Sequence, residues 1–412
     1  MRDGVLAEIS AEAIRGNLRL IRERAGATTP LCAAVKANAY GHGLDVVLPI
    51  LAEEGVERVA TANLTEALDL RQRGWHRPIL CLGAPLAAAD EQELREKCEL
   101  AVAGGIEVTV SSLHETQMLS RVAAQQGTIA HIQIKLDSGM GRMGLLVDQA
   151  VGVIVELAKQ PFVRIQGIYT HFATSDEPGD QFAQTQLERF LQVRQQLQEK
   201  GFATGESEGM VADKGGSKNK DANEGKSKGV LFHAANSGAI FRMPGGCRLD
   251  MVRPGICLYG YWDGPANERP AALRPAMRVV GQLVAVRHVP ANYKVGYGCT
   301  FTTQRPSVLG VVPIGYADGY RRLLSNSAMM TLSATRGQPD RSVPVVGRVS
   351  MDQTIVDLTD AGDNVCVDDR IVVIDDDPAA ANSVEAIARQ LGTITYEVTC
   401  LIGGRVRRVR VA

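Results

Sequence analysis

From residue 30 onward, short runs of apolar residues alternate with longer segments whose apolar positions recur at helical spacing. The short runs are "LCAAVKA", "ERVATAN", "PILCLGA", "LAVAGGIEVTV", "AHIQIKLDS", "VRIQGIYTHFA", "VLFHAANS" and "CRLDMVRPGICLYG", and each reads as a strand. Between them lie helix-like pieces such as "LDVVLPILAEEG", "LTEALDLRQRG", "LHETQMLSRVAAQQG" and "QFAQTQLERFLQVRQQLQEKG". Several close on glycine, as helix C-caps do. Eight strand–helix units in series predict an α/β protein built on a TIM (β/α)8 barrel over residues 11–261. The competing architecture, an open doubly wound sheet, should carry a phosphate-binding glycine signature at its first β/α turn, and here that turn carries Lys36.

The texture changes after Tyr261. "WDGPANERPAALRP" is rich in proline and polar residues and reads as a linker at 262–274. Residues 275–412 are β-rich, with "MRVVGQLVAVRHV", "SVLGVVPIG", "VPVVGRVS", "QTIVDL", "RIVVID" and "RVRRVRV" as strands of a second, mainly-β domain. The alternation of Val and Arg in the last of these fits an exposed edge strand. Within the barrel, residues 203–229 have almost no apolar side chains and are expected to be a disordered insertion, on the face opposite the one where barrel enzymes keep their chemistry.

Composition narrows the function classes. The chain has 412 residues and a formal net charge of −1, so it lacks the basic footprint of a nucleic-acid partner or an anionic membrane surface. No stretch approaches the roughly 18 apolar residues of a membrane span, and "MRDGVLAEIS" lacks a signal-peptide core, so a cytoplasmic protein is expected. The eight cysteines are scattered without CxxC pairs or zinc spacing, which argues against a disulfide framework and against a metal site.

Two stretches carry candidate chemistry. "LCAAVKANAYGHG" at 31–43 delivers one lysine at the end of an apolar strand and turns at once through glycine. On a barrel, that places Lys36 at the C-terminal rim, where a lysine of lowered pKa can act as a nucleophilic amine. The bland alternative is a lysine reaching out to solvent. "GMGRMG" at 139–144 matches GxGxxG but falls at the fifth strand and lacks an acidic residue about twenty positions on, so its glycines are read as a tight turn that presents Arg142.

"AVKANAYGHG" resembles the cofactor-lysine motif of the alanine racemases, fold type III enzymes that use pyridoxal 5′-phosphate. "KLDSGMGRMG", "IYTHFATSD", "HAANSGA", "MVRPGICLYG", "VGYGCTF", "GYADGYRR", "GRVSMDQTIVDL" and "ITYEV" follow in the family's order. The resemblance covers the chain except 203–229. It implies that residues 1–10 form a strand packed with the C-terminal domain, and that the protein is a homodimer with shared active sites.

Carried over residue by residue, the resemblance makes Lys36 the amine bound to the cofactor aldehyde and the base on one face of the substrate. Tyr297 becomes the base on the other, as inversion of an α-carbon requires. Arg253 is expected to face the pyridine nitrogen, with His171 orienting it. Tyr40, Ser237, Tyr396 and the backbone amides of Gly255 and Ile256 are expected to hold the phosphate, with Asn236 alongside. Arg142 and the backbone of Met351 are expected to hold the substrate carboxylate, with Asp352 in support. Lys135 matches a lysine that many family members carry as a carbamate, which would pair with Arg142.

The function implied is interconversion of L- and D-alanine, supplying D-alanine for peptidoglycan. The rival readings are a serine or broad-specificity racemase and a non-catalytic pyridoxal phosphate-binding protein. The latter lacks a C-terminal domain bearing a residue such as Tyr297.

Overall fold

The computed structural model describes residues 4–203, 205, 229–243, 245–334, 339–362 and 364–412. The insertion expected at 203–229 lies, but for residues 203, 205 and 229, outside them. Contacts divide the chain into two units: Met1–Arg19 with Asn38–Ile50 and Ile256–Ala412, and Leu20–Ala37 with Leu51–Gly255.

Strands are numbered along the chain from β1 (Val5–Ser10), which belongs to the first unit. In the second unit β2 (Cys32–Ala34), β3 (Arg58–Thr61), β4 (Ile79–Cys81), β5 (Glu107–Val110), β6 (Ala130–Asp137), β8 (Val163–Tyr169) and β9 (Leu231–His233) pair in parallel in that order, and the two-residue β7 (Leu145–Leu146) adds to β6. Every residue of β2 to β5 is buried. Parallel strands covered on both faces read as unbroken apolar runs, which is how the sequence announces them.

The ring closes without a full eighth strand. Leu31 bridges Val252 and His233 bridges Met251, both in parallel, and Cys32 and Ala34 donate to the carbonyls of Val252 and Pro254 at 2.9 Å. The expected strand in "CRLDMVRPGICLYG" is therefore reduced to two residues, because Pro254 has no N–H for a ladder and a 3-10 turn begins at Ile256. The fourth expected strand is also shorter. Leu100–Ala103 complete the helix Glu91–Ala103, and Gly105 (φ 57°) breaks the chain before β5.

The first unit is β-rich. Its strands are β10 (Met277–Gln282), β11 (Ala285–Val289), β12 (Lys294–Val295), β13 (Phe301–Thr302), β14 (Ser307–Val312), β15 (Met329–Leu332), β16 (Arg341–Pro344), β17 (Thr354–Asp357), β18 (Arg370–Ile374) and β19 (Arg407–Val411). They form a six-stranded sheet in the order β16-β15-β18-β10-β1-β19, with β11-β14-β17 and β12-β13 as smaller sheets. β1 lies antiparallel to β10 and parallel to β19, which is the sheet edge. In that edge strand Arg408 is turned inward and donates to the carbonyls of Gly41, Ile402, Gly403 and Val406.

Immediately after β2 the backbone makes a left-handed helical turn. Ala37, Asn38, Ala39 and Tyr40 have φ of 52°, 54°, 56° and 52°. Each L-residue held there costs about 1–2 kcal/mol. Local bonds sustain it: Glu66 accepts from the Ala37 N–H (2.8 Å), and the Asn38 side chain accepts from the Leu44 N–H (2.9 Å). The turn ends at Gly41 (φ 82°), where a Cβ would stand 2.0 Å from the Thr399 carbonyl oxygen. Ala37 is exposed, so Ala37→Gly removes strain and no packing. It is expected to raise the unfolding free energy by up to ~1 kcal/mol after the entropy cost of glycine. Gly41→Ala is expected to lower it by more than ~1 kcal/mol. Urea unfolding of the two variants checks both signs.

Candidate active site

Lys36 is delivered by the buried run Cys32–Val35 and is itself half-buried at the start of the left-handed turn. On the same unit the loop after β6 is wound around Asp137, whose carboxylate accepts from the N–H groups of Gly139 (2.9 Å), Gly141 (3.1 Å) and Arg142 (3.2 Å). Gly144 is obligatory: it has φ of 121°, and a Cβ there would meet the backbone of residues 135–137 at 2.9 Å. The GxGxxG spacing thus serves a tight turn that leaves Arg142 exposed.

Lys135 is buried on β6, and its amine makes no hydrogen bond among the described residues. Burial, then the positive charges of Arg142 and Arg253, push its pKa down to about 8. Burial also holds His171 well below the usual imidazole range, helped by Arg253, Arg142, Lys135 and Lys36 in that order. Four cationic side chains therefore act on one neutral histidine, a field suited to anionic ligand groups.

Arg253 is 4% exposed, and among the described residues no carboxylate touches it. One Nη donates to His233 Nδ1 (2.7 Å), and the other to the carbonyls of Thr170 (2.6 Å) and Ala234 (3.0 Å). The guanidinium carbon sits 5.2 Å from the centre of the Tyr169 ring, itself stacked on His233. Burial lowers its pKa to about 10, so it remains charged at neutral pH. Its Nε–H has no hydrogen-bond partner among the described residues. Nearby, Asn236 caps the helix Ser237–Arg242, and the Gly255 N–H donates to the Ser237 hydroxyl (2.9 Å).

The other expected residues lie in the first unit. The Tyr40 ring packs 5.1 Å from Tyr259 and 5.7 Å from Tyr396. Ile256 opens the 3-10 turn Ile256–Tyr259. Tyr297 stands on a turn between Gly296 (φ 69°) and Gly298 (φ 70°), with 71% of its surface exposed. Met351 is also exposed, and its carbonyl accepts from the Ala317 N–H (3.0 Å). Arg405 joins Asp352 (2.8 Å) to Asp318 (3.2 Å).

Two family models match the chain in series: "Alanine racemase, N-terminal domain" over residues 9–212 and 218–263, and "Alanine racemase, C-terminal domain" over 276–410. The chain belongs to the alanine racemase family. "Alanine racemase 2" of Caldanaerobacter subterraneus subsp. tengcongensis is 37% identical over 98% of this chain and 93% of its own length. The alanine racemase of Desulforamulus reducens is 35% identical over 99% of each. Among solved structures, that of Clostridium difficile 630 superposes with a TM-score of 0.83 at 32% identity, covering 99% of this chain and 96% of its own. The Bacillus anthracis enzyme with bound L-Ala-P gives 0.81 at 29% identity, over 100% and 96%. The Bartonella henselae enzyme with covalently bound pyridoxal phosphate gives 0.78 at 25% identity, over 99% of each chain.

Arg253 has an imidazole partner that the resemblance did not assign. The imidazole bonded to Arg253 is His233; His171 makes no hydrogen bond to it. His233 is a residue of β9 and points inward, whereas His171 follows the end of β8, beyond the strand's alternation. The usable signal was a histidine inside the apolar run "VLFHAANS".

Three histidines, His42, His171 and His233, are held neutral by burial, His42 with a pKa near 3 and the others well below the ordinary 6.5. The unfolded chain takes up their protons first as pH falls. Their contribution to stability is therefore complete above about pH 6.5 and is lost as pH drops from there toward the folded values. Each can add a slope of up to ~1.4 kcal/mol per pH unit. Urea unfolding between pH 7.5 and 5.5 is expected to show stability falling with acidity, and His42→Asn to flatten that slope.

Proposed function

We infer that this member of the alanine racemase family interconverts L- and D-alanine with pyridoxal 5′-phosphate. The observation that carries the reading is Arg253: a buried, charged guanidinium that, among the described residues, has no carboxylate partner and one unused Nε–H. Such a group suits a neutral acceptor such as a pyridine nitrogen, to which it offers a hydrogen bond without giving up a proton. The cationic field of Lys36, Arg142 and Arg253 suits a phosphate ester and an amino-acid carboxylate.

When bound, the cofactor supplies an electron sink that acidifies the substrate α-carbon. Lys36 holds the cofactor and moves the α-proton on one face. Tyr297 moves it on the other, so removal from one side and return on the opposite side invert the centre. Arg253 leaves the ring nitrogen unprotonated, which limits the sink and disfavours side reactions that need a stronger one. Tyr40, Ser237, Tyr396 and the amides of Gly255 and Ile256 hold the phosphate beside Asn236. Arg142 and the Met351 backbone take the substrate carboxylate, with Asp352 holding Arg405. His171 stays neutral among the cations.

The exposure of Tyr297 supports a homodimer in which Lys36 acts with Tyr297 of the partner subunit. The product supplies D-alanine for peptidoglycan in the cytoplasm. Among the described residues no helix is long and apolar enough to cross a membrane.

Lys135 is read as a carbamate: its free amine attacks carbon dioxide, a proton leaves to solvent, and the resulting anion pairs with Arg142. A pKa near 8 leaves a usable fraction of free amine at neutral pH. Carbon-13 NMR in labelled bicarbonate is expected to show a carbamate resonance that Lys135→Met removes; its presence in that variant would refute the assignment.

Site sharing has a sharp test. With pyridoxal phosphate added, Lys36→Ala and Tyr297→Phe homodimers are expected to be nearly inactive toward alanine. Refolded together, they should form heterodimers in which one site carries both lesions and the other neither. Activity must then return in proportion to the heterodimer; heterodimers that stay inactive would sink the shared site. A wild-type chain inert toward alanine would sink the function.

A further inference from the structure

Among the described residues Arg253 touches no carboxylate, yet one lies at the end of an unbroken chain of hydrogen bonds behind it. Arg253 Nη1 meets His233 Nδ1 at 2.7 Å, His233 Nε2 meets Gln133 Oε1 at 3.1 Å, and Gln133 Nε2 donates to Glu107 Oε2 at 2.6 Å. The other oxygen of Glu107 accepts from Arg58 at 2.8 Å. All five residues are buried.

The two ends of this chain have fixed polarity. A guanidinium only donates and a carboxylate only accepts. His233 must therefore present a lone pair at Nδ1 and its proton at Nε2. Gln133 must turn its carbonyl to His233 and its amide N–H to Glu107. Only one arrangement of protons satisfies every bond, and in it His233 is neutral. Burial and the nearby charges of Arg253 and Arg58 also favour the neutral ring.

We propose that Glu107 and Gln133 are positioning residues for the reaction, acting through His233 to fix the direction in which Arg253 presents its Nε–H. The inference rests on the reading that this group serves the cofactor ring. Glu107 sets the flip of the Gln133 amide. With glutamine at 107 the amide can reverse and donate to His233 Nε2, which moves the ring proton to Nδ1 and sets it against the Arg253 donor. The chain would then hold a second proton order, bought with the bond that aims the guanidinium. Arg58 holds the carboxylate and completes the anchor.

The test uses the holoenzyme labelled with nitrogen-15 histidine. Wild type is expected to show His233, assigned by its loss in His233→Asn, as the Nε2–H tautomer alone. Glu107→Gln should add the Nδ1–H form. Gln133→Met leaves the Glu107–Arg58 pair intact and should keep the Nε2–H form with faster proton exchange. In both variants kcat should fall roughly 10–100-fold, the range seen when outer partners of a functional group are lost. KM for alanine should hold, because Arg142 is untouched, and transamination should rise relative to racemisation. If Glu107→Gln does not fold, Gln133→Met decides alone. The Nε2–H form alone in folded Glu107→Gln, or unaltered proton exchange at His233 in Gln133→Met, overturns the proton order. A changed signal with unchanged kcat overturns the positioning role. A wild type without racemase activity would instead strike the functional reading, while the tautomer remains readable.

Discussion

Holding a guanidinium inside a barrel without a counter-ion in contact is the constraint on which this structure turns. Removing such a charge from water is costly, and the protein offsets the cost with two backbone carbonyls, a neutral imidazole and an aromatic face rather than with an acid. Those partners come from the ends of different strands, so the barrel must close accurately for Arg253 to be satisfied. The closure is itself made by the segment carrying Arg253, through the bridges at Met251 and Val252. Fold and site therefore stabilise each other at one place.

The rim is built by backbone strain as much as by side chains. Four consecutive left-handed residues follow the strand that delivers Lys36, and three positive-φ glycines wind the loop that presents Arg142. Small side chains at 37 and 39, and glycine at 41 and 144, are what these conformations tolerate. A carboxylate secures each feature from the inside: Glu66 under the first turn, Asp137 within the second.

Much of this is legible in the sequence. Continuous apolar runs mark strands buried on both faces, and Lys36 and "GMGRMG" stand out because they interrupt those runs with chemistry or glycine. What sequence could not supply was direction. His171 and His233 both lie near strand ends, and only their positions relative to the pleat decide which one reaches Arg253. Gln133 and Glu107 were passed over for a related reason: inside a strand, a polar residue facing the barrel axis looks the same in a string of letters as one facing out. The eighth strand was overestimated because pattern does not show where a proline withdraws from a ladder. The reach of residues 38–50 into the β-rich unit was invisible too, since it depends on contacts such as Gly41 with Thr399, far apart in the chain.

The position of β1 has a consequence for how the molecule is made. It precedes both of its sheet neighbours in the chain, β10 (Met277–Gln282) and β19 (Arg407–Val411). Its parallel neighbour is made long after it, since Leu6 pairs with Arg407. The β-rich unit therefore cannot finish its main sheet before β19 is made, and the apolar strand "VLAEIS" must wait with an open edge while some 400 residues are added at about 5–20 per second. That interval, about 20–80 seconds at the same rate, is when an emerging chain is most exposed to wrong pairing, and it makes the arrival of β19 the step that completes this sheet.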